Sequence, residues 1–444
     1  MSLMTVLILA VCGQFGDLPQ SEVQFLPYSD RFVSATAEKS GYGNQSVSQS
    51  NQNPENFDVT LSDIETYSPP AVSSLELDSS AEDPATLMNM LRQGFGGNLL
   101  DSAGIQVSGW TDMSFTASTA KRNQLPMGMN YLANAFLLQQ NWLRIEKPVD
   151  PNAEDSTFGF HSDTILPGSD YWFTIARGIF NDQLTANQGN PSRYGIDPVQ
   201  FYAEAYLPGY LQGLDLKFGR FFAPFGVESI AAISAPLGSR SYTFIYNPFT
   251  QTGLLGNLNI NGQWKVKSGI IMGNDVFINT AASPYYVGGI ARSSLDGKSS
   301  AEFTVVYGSG EYNQRLKFNN PQVFNLVLSH QMKDDLLWNM DVVYGFQNNV
   351  PQIGFANWYS FSNYLTQTWT EKFSNVWRLE FFDDVQGQRT GTAGLYTAFT
   401  LGLNYKPFTW LLFRPEVRYD HNVNGPFEGK PSLFTADLDV IIRW

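Results

Sequence analysis

Residues 434–444 read FTADLDVIIRW. Phe434, Ala436, Leu438, Val440, Ile442 and Trp444 fall on one parity, while Thr435, Asp437, Asp439 and Arg443 fall on the other. Ile441 alone breaks the alternation. Successive side chains of a strand point to opposite faces, so this is a strand with one apolar and one charged face.

The same period recurs upstream as far as about residue 104. In IQVSGWTDMSF, Ile105, Val107, Met113 and Phe115 oppose Gln106, Ser108, Asp112 and Ser114. LDLKFGRFF sets Leu214, Leu216 and Phe218 against Asp215 and Lys217, and QWKVKSGIIM sets Trp264, Val266 and Ile270 against Lys265 and Lys267. In FSNVWRLEFF, Arg378 and Glu380 lie opposite Trp377, Leu379 and Phe381; in TWLLFRPEVRYD, Arg414, Glu416 and Arg418 lie opposite Phe413, Val417 and Tyr419. Turn signals such as NGQ, SLDG, MKDD and YKPF separate the runs and alternate with longer polar segments.

A soluble sandwich produces the same alternation, with its apolar parity in a core. Composition leaves both open, and segment length favours the membrane. Aromatic residues make up 14% of the 444-residue chain and charged residues only 15%, too few charges for an ordinary soluble surface. No run approaches the ~18 apolar residues of a spanning helix. The periodic segments are roughly 10 residues long, which suits a tilted strand crossing a bilayer, and short turns alternating with longer loops mark a transmembrane barrel. The expectation is an all-β fold: a transmembrane, antiparallel, up-and-down β-barrel over residues 104–444, with about 16 strands within a range of 14 to 18. Its apolar parity meets lipid. Its charged parity meets a wet lumen, making Lys217, Lys265, Lys267, Arg378, Glu380, Arg414, Glu416, Arg418, Asp437, Asp439 and Arg443 the expected pore-lining set.

Residues 1–100 hold 12 Asp/Glu against 3 Lys/Arg, leaving −5 of the net −14 for the rest. No basic face exists, which excludes nucleic acid as a partner. Residues 17–103 are rich in Ser, Gln, Asn, Pro and acids, and read as a disordered segment. Within it, residues 84–93 can form a short helix with Leu87, Met90 and Leu91 on one face. Residues 1–16 contain the apolar run LMTVLILAV and read as an export signal, atypical because no Lys or Arg precedes Arg31. The single cysteine, Cys12, closes that run and rules out an intrachain disulfide framework.

Several stretches in order, FLLQQNWLRIEKPVD, STFGFHSDTILPGSDYWFTIARGIF, DPVQFYAEAYLPGYLQGLDLKFGRFFAPFGVES, SRSYTFIYNPFTQTG and FRPEVRYDHNVNG, together with the terminal ADLDVIIRW, resemble the OmpL-like group of outer-membrane β-barrel porins. In the second stretch, Pro167 to Asp170 read as the turn of a hairpin. The resemblance implies a porin-like channel in the bacterial outer membrane, passing small hydrophilic solutes or ions. The aromatic carboxyl-terminal strand, through Phe434, Leu438, Val440, Ile442 and Trp444, resembles the signal read by the barrel assembly machinery. Expected partners are thus the lipid bilayer, that machinery and small solutes, and the barrel size is compatible with a homo-oligomer.

Nothing points to an enzyme or a cofactor. His161 and Asp163 share a strand face, but two ligands do not make a metal site. His421 has no serine close after it, and NVNG reads as a loop turn, so nucleophilic catalysis lacks its nucleophile. The alternative to a channel is a narrow or plugged barrel with a structural or surface-binding role, its aromatic, Asn-rich loops contacting partners.

Overall fold

The computed structural model describes residues 87–93, 97–120, 128–186, 192–278, 283–308 and 320–444. The expected export signal and most of the acidic segment lie outside them. Two short helices, α1 (Leu87–Gln93) and α2 (Gly97–Ala103), lead into the first strand. On α1 the buried side chain is Met88, while Met90 is largely exposed, so the packed face is one position away from the expected one.

Sixteen strands among the described residues close into one barrel. They are β1 (Gln106–Ser118), β2 (Phe136–Lys147), β3 (Thr157–Gly168), β4 (Gly195–Leu207), β5 (Leu214–Phe222), β6 (Thr250–Asn259), β7 (Trp264–Asn274) and β8 (Tyr285–Ser293). The second half comprises β9 (Ser299–Tyr307), β10 (Gln322–Lys333), β11 (Leu336–Val350), β12 (Gly354–Thr370), β13 (Phe373–Asp384), β14 (Gly394–Phe408), β15 (Leu411–His421) and β16 (Ser432–Arg443). Every neighbour pair is antiparallel. β16 closes on β1 with Ser114 opposite Asp439 and Thr116 opposite Asp437.

Parity sorts the faces as expected. Phe218, Ile270, Leu379, Phe381, Phe399, Val417, Phe434 and Leu438 are exposed outward, whereas Arg378, Glu380, Arg414 and Asp439 point in and are buried. Ile441, the exception, faces inward and joins a buried apolar cluster with Trp110 and Leu412. Turns of two residues join β10 to β11, β12 to β13 and β14 to β15 at one end, whereas the β3–β4 and β5–β6 connections at the other end exceed twenty residues. In outer-membrane barrels the short turns face the periplasm and the long loops the exterior. Two local readings shift. β14 continues through YKPF and turns at Thr409–Trp410, and Pro167–Asp170 is no tight turn but the entry to a long loop that carries helix α3 (Tyr171–Thr174).

Trp444 completes the seam. Its backbone exchanges hydrogen bonds with Gly109 at 2.9 and 3.0 Å, and its indole Nε1 donates to Thr111 at 3.1 Å. A Cβ at Gly109 would lie 2.4 Å from the Trp444 ring and 2.3 Å from the Trp142 carbonyl oxygen. Gly109→Ala should therefore destabilise the barrel by about 1–3 kcal/mol through overpacking. A lower temperature for loss of the compact, heat-modifiable gel species would show it, and an unchanged temperature would mean the seam relaxes freely.

Candidate functional site in the barrel interior

The loop joining β5 to β6, residues 223–249, does not project outward. It folds into the lumen and carries helix α4 (Tyr242–Ile245). Its buried residues Ile230, Ala231, Ala232 and Tyr242 belong to one apolar cluster with Trp110 and Trp142 on the wall and with Tyr171 and Trp172 of the β3–β4 loop. The upper lumen is therefore packed by loops rather than open over its whole section.

Backbone groups in an inward loop have no ladder to pair with, so the wall must satisfy them. It does so largely with charged side chains. Arg378 donates to the Glu228 carboxylate at 2.8 Å, to the Ser239 carbonyl at 2.8 Å and to Glu380 at 2.8 Å. Arg414 donates to the Ala232 and Ala235 carbonyls at 2.8 and 2.6 Å and is paired with Asp439. Arg418 donates to the Arg240 carbonyl at 2.6 Å while held by Asp420. In the opposite sense, Glu380 accepts from the Tyr242 amide at 2.7 Å, and Glu416 accepts from the Ser239 amide at 3.1 Å. Gln140 on β2 adds a bridge, donating to Ile230 and accepting from Ala232. Charge-assisted bonds of this kind are about twice as strong as neutral ones, and the groups that make them here are buried.

The expected set thus divides in two. Arg378, Glu380, Arg414, Glu416, Arg418, Asp437 and Asp439 all face the interior, but each is buried, because the loop occupies the space where water was expected. Arg443 also faces inward and is half-buried, opposite Trp110. Lys217, Lys265 and Lys267 lie on the other wall and keep partial or full exposure. Lys217 pairs with Glu204 at 3.2 Å and sits 4.8 Å from the Tyr202 ring, and Lys267 pairs with Glu302.

Sequence reasoning missed a second lumenal cluster on β2–β4. Arg144 forks onto Asp163 at 2.8 and 3.0 Å; His161 lies between Glu146 and Asp163 at 2.9 Å each and stacks on Tyr202. The face shared by His161 and Asp163 is thus an ion-pair network, and no group of three or more His, Cys, Asp or Glu side chains among the described residues could hold a metal. Pairing of β15 with β16 also brings Ser432 beside His421, its Oγ 3.1 Å from Nδ1. That hydroxyl is shared with Tyr419 at 2.8 Å.

Beyond the end of β3, Asp170 accepts from Gln140 at 2.8 Å in full burial. Burial pushes its carboxyl up to about 7. The unfolded chain ionises this group near ~4, so between these values only the folded state keeps the proton, and stability falls as pH rises through the window. Wild type should gain thermal stability in detergent on going from pH 8 to pH 5. Asp170→Asn, which keeps the accepting oxygen, should show less of that gain; an identical pH slope in both would remove Asp170 as the cause.

Two cavities flank one limb of the inner loop. An outer one of about 200 Å³ is lined by Phe225–Ile230, Phe244 and Asn247–Phe249. An inner one of about 310 Å³ is lined by Pro224–Val227 of the loop and by Lys267, Ser300, Glu302, Asn339 and Thr366 of the wall.

Solved structures share this architecture. OprB from Pseudomonas putida superposes with a TM-score of 0.53 at 11% identity, covering 79% of this chain and 97% of its own. The anion-selective porin from Comamonas acidovorans gives 0.51 at 11% identity over 77% and 99%, and the outer membrane channel DcaP of Acinetobacter baumannii 0.50 at 11% over 77% and 97%. No curated protein sequence matches the chain. Residues 104–443 match the family model described as putative beta-barrel porin-2, OmpL-like. With its barrel accounted for almost end to end by that model, the chain belongs to the OmpL-like beta-barrel porin-2 family of the bacterial outer membrane.

Proposed function

We propose that this barrel passes small hydrophilic solutes or ions by passive diffusion along the wall that the inner loop leaves uncovered. The observation that carries this reading is the division of the lumen: the β13–β16 wall is sealed under the loop, while opposite it Lys217 and Glu204 stay partly exposed and Lys267 and Glu302 line the larger of the two cavities. Polar walls in a confined passage replace part of a solute's hydration and sort by charge.

The sign of that sorting follows from the buried charges. Thirteen Asp and Glu are buried among the described residues, against six Arg and no Lys. Even with Asp170 counted as protonated, twelve buried carboxyls stand against six guanidinium groups, and such an excess biases the interior toward cations. Refolded protein in a planar bilayer with a salt gradient should show discrete conductance steps and a reversal potential of cation-selective sign. Anion selectivity would overturn the charge argument while leaving the channel intact.

The density of loop contacts on Arg378, Arg414 and Arg418 favours a second reading, a barrel kept shut with a structural or surface-binding role. Silence from protein that is folded and heat-modifiable would support it. For assembly, Phe434, Leu438, Val440, Ile442 and Trp444 form the proposed recognition strand for the barrel machinery.

A further inference from the structure

The two cavities share Phe225, Gly226 and Val227, so this limb of the inner loop separates them. Its attachments differ from those of the rest of the loop. Residues 228–243 are held by the buried charged network of Arg378, Arg414, Arg418, Glu380 and Glu416. The limb is held from the other wall. The Val227 amide donates to Asp341 Oδ2 at 3.0 Å, and the Gly226 amide donates to Asn325 Oδ1 at 3.2 Å. Asn325 Nδ2 in turn donates to Asp341, which locks the two acceptors together, and Lys267 Nζ reaches the Pro224 carbonyl at 2.6 Å.

The backbone supports a local movement. Gly226 has φ +92°, a conformation open to glycine and strained for other residues, and Pro224 fixes the chain on its other side. Phe225 therefore stands between a permissive and a rigid residue.

Resting on the channel reading, we infer that residues 224–227 are the gate between the outer and inner cavities, and that Asp341 is the positioning residue that latches it across the passage. Asn325 orients Asp341, and Lys267 holds the hinge end of the limb. Loss of the Asp341 acceptor leaves the Val227 amide unpaired, so the limb moves toward water and the cavities join. The class of solute admitted is then set at this point by limb position rather than by the arginine rows.

The test uses the full barrel in planar bilayers, with Cys12 replaced by Ser throughout. Asp341→Ala should raise single-channel conductance at least about twofold, whereas Asp341→Asn, which keeps an oxygen for the Val227 amide but turns its NH2 toward Asn325 Nδ2, should fall between Asp341→Ala and wild type. A barrel carrying Val227→Cys and Asp341→Cys should conduct like wild type when oxidised and gain conductance on reduction in the same bilayer. Reversal within one folded molecule separates latch from misfolding. Steps of one size in wild type, Asp341→Ala and both redox states would overturn the gate and leave the channel standing. Steps appearing only when the latch is broken would support it. Silence from all forms, although folded, would overturn both gate and channel.

Discussion

Arg378→Met should release the inner loop. Arg378 is wholly buried and contacts two carboxylates, Glu228 on the loop and Glu380 on the wall, besides the Ser239 carbonyl and hydroxyl. Methionine fills similar space but leaves Glu228 without its ion-pair partner and Glu380 with Arg418 alone, at 3.5 Å. Removing one member of a buried ion pair costs about 3–5 kcal/mol because the remaining charge stays desolvated. The barrel ladder need not break to relieve this. Lifting Glu228 and its loop into water costs less than global unfolding, so the penalty appears as local opening. Cleavage within residues 229–241 by an added protease should rise roughly hundredfold where opening is fast relative to cleavage, while the global unfolding temperature moves little. Adding Glu228→Gln and Glu380→Gln to Arg378→Met should restore much of the protection, since the residues are coupled and their effects do not add. Protection equal to wild type in the single variant would mean that the apolar contacts of Ile230, Ala232 and Tyr242 hold the loop without the charges.

This distribution of forces explains which features could be read from the sequence. Strand existence and inward parity are local properties, written two residues apart, and so Arg414, Glu416 and Arg418 could be assigned to the interior from TWLLFRPEVRYD alone. The partners of those side chains are not local. Arg414 meets Ala232 and Arg378 meets Glu228 across separations of 182 and 150 residues, with no periodicity to announce either contact. GVES and SRSYTF, on the inner loop, have the polarity of an exposed loop. SRSYTF is buried almost throughout and GVES at Glu228, because backbone amides and carbonyls, together with the Glu228 carboxylate, meet the wall's polar and charged groups. The same limit hid Ser432 from His421, since the register of β15 on β16 decides that contact. A charge on the inward parity fixes where a side chain points; whether it meets water depends on what the chain inserts opposite it.

Deleting Ser229–Arg240 and bridging Glu228 to Ser241 with two glycines should raise single-channel conductance several-fold, more than any point substitution at the latch. The join is short, because the Ser241 amide already donates to the Glu228 carboxylate at 3.0 Å. The deleted residues include Ile230 to Ala232, which pack in the central apolar cluster, and the carbonyls of Ala232, Ala235 and Ser239, which accept from Arg378 and Arg414. None of the strand pairs passes through them, so the closed sixteen-strand ladder should survive as a heat-modifiable species. Water then reaches the β13–β16 wall, where the paired charges become a second hydrated surface, and permeation scales with the widened section. The comparison with wild type decides between the two functional readings. Small steps that grow on deletion mean a channel narrowed by the loop. A silent wild type with a conducting deletion means a barrel that the loop keeps shut, and equal steps in both would place the permeation path away from residues 229–240 altogether.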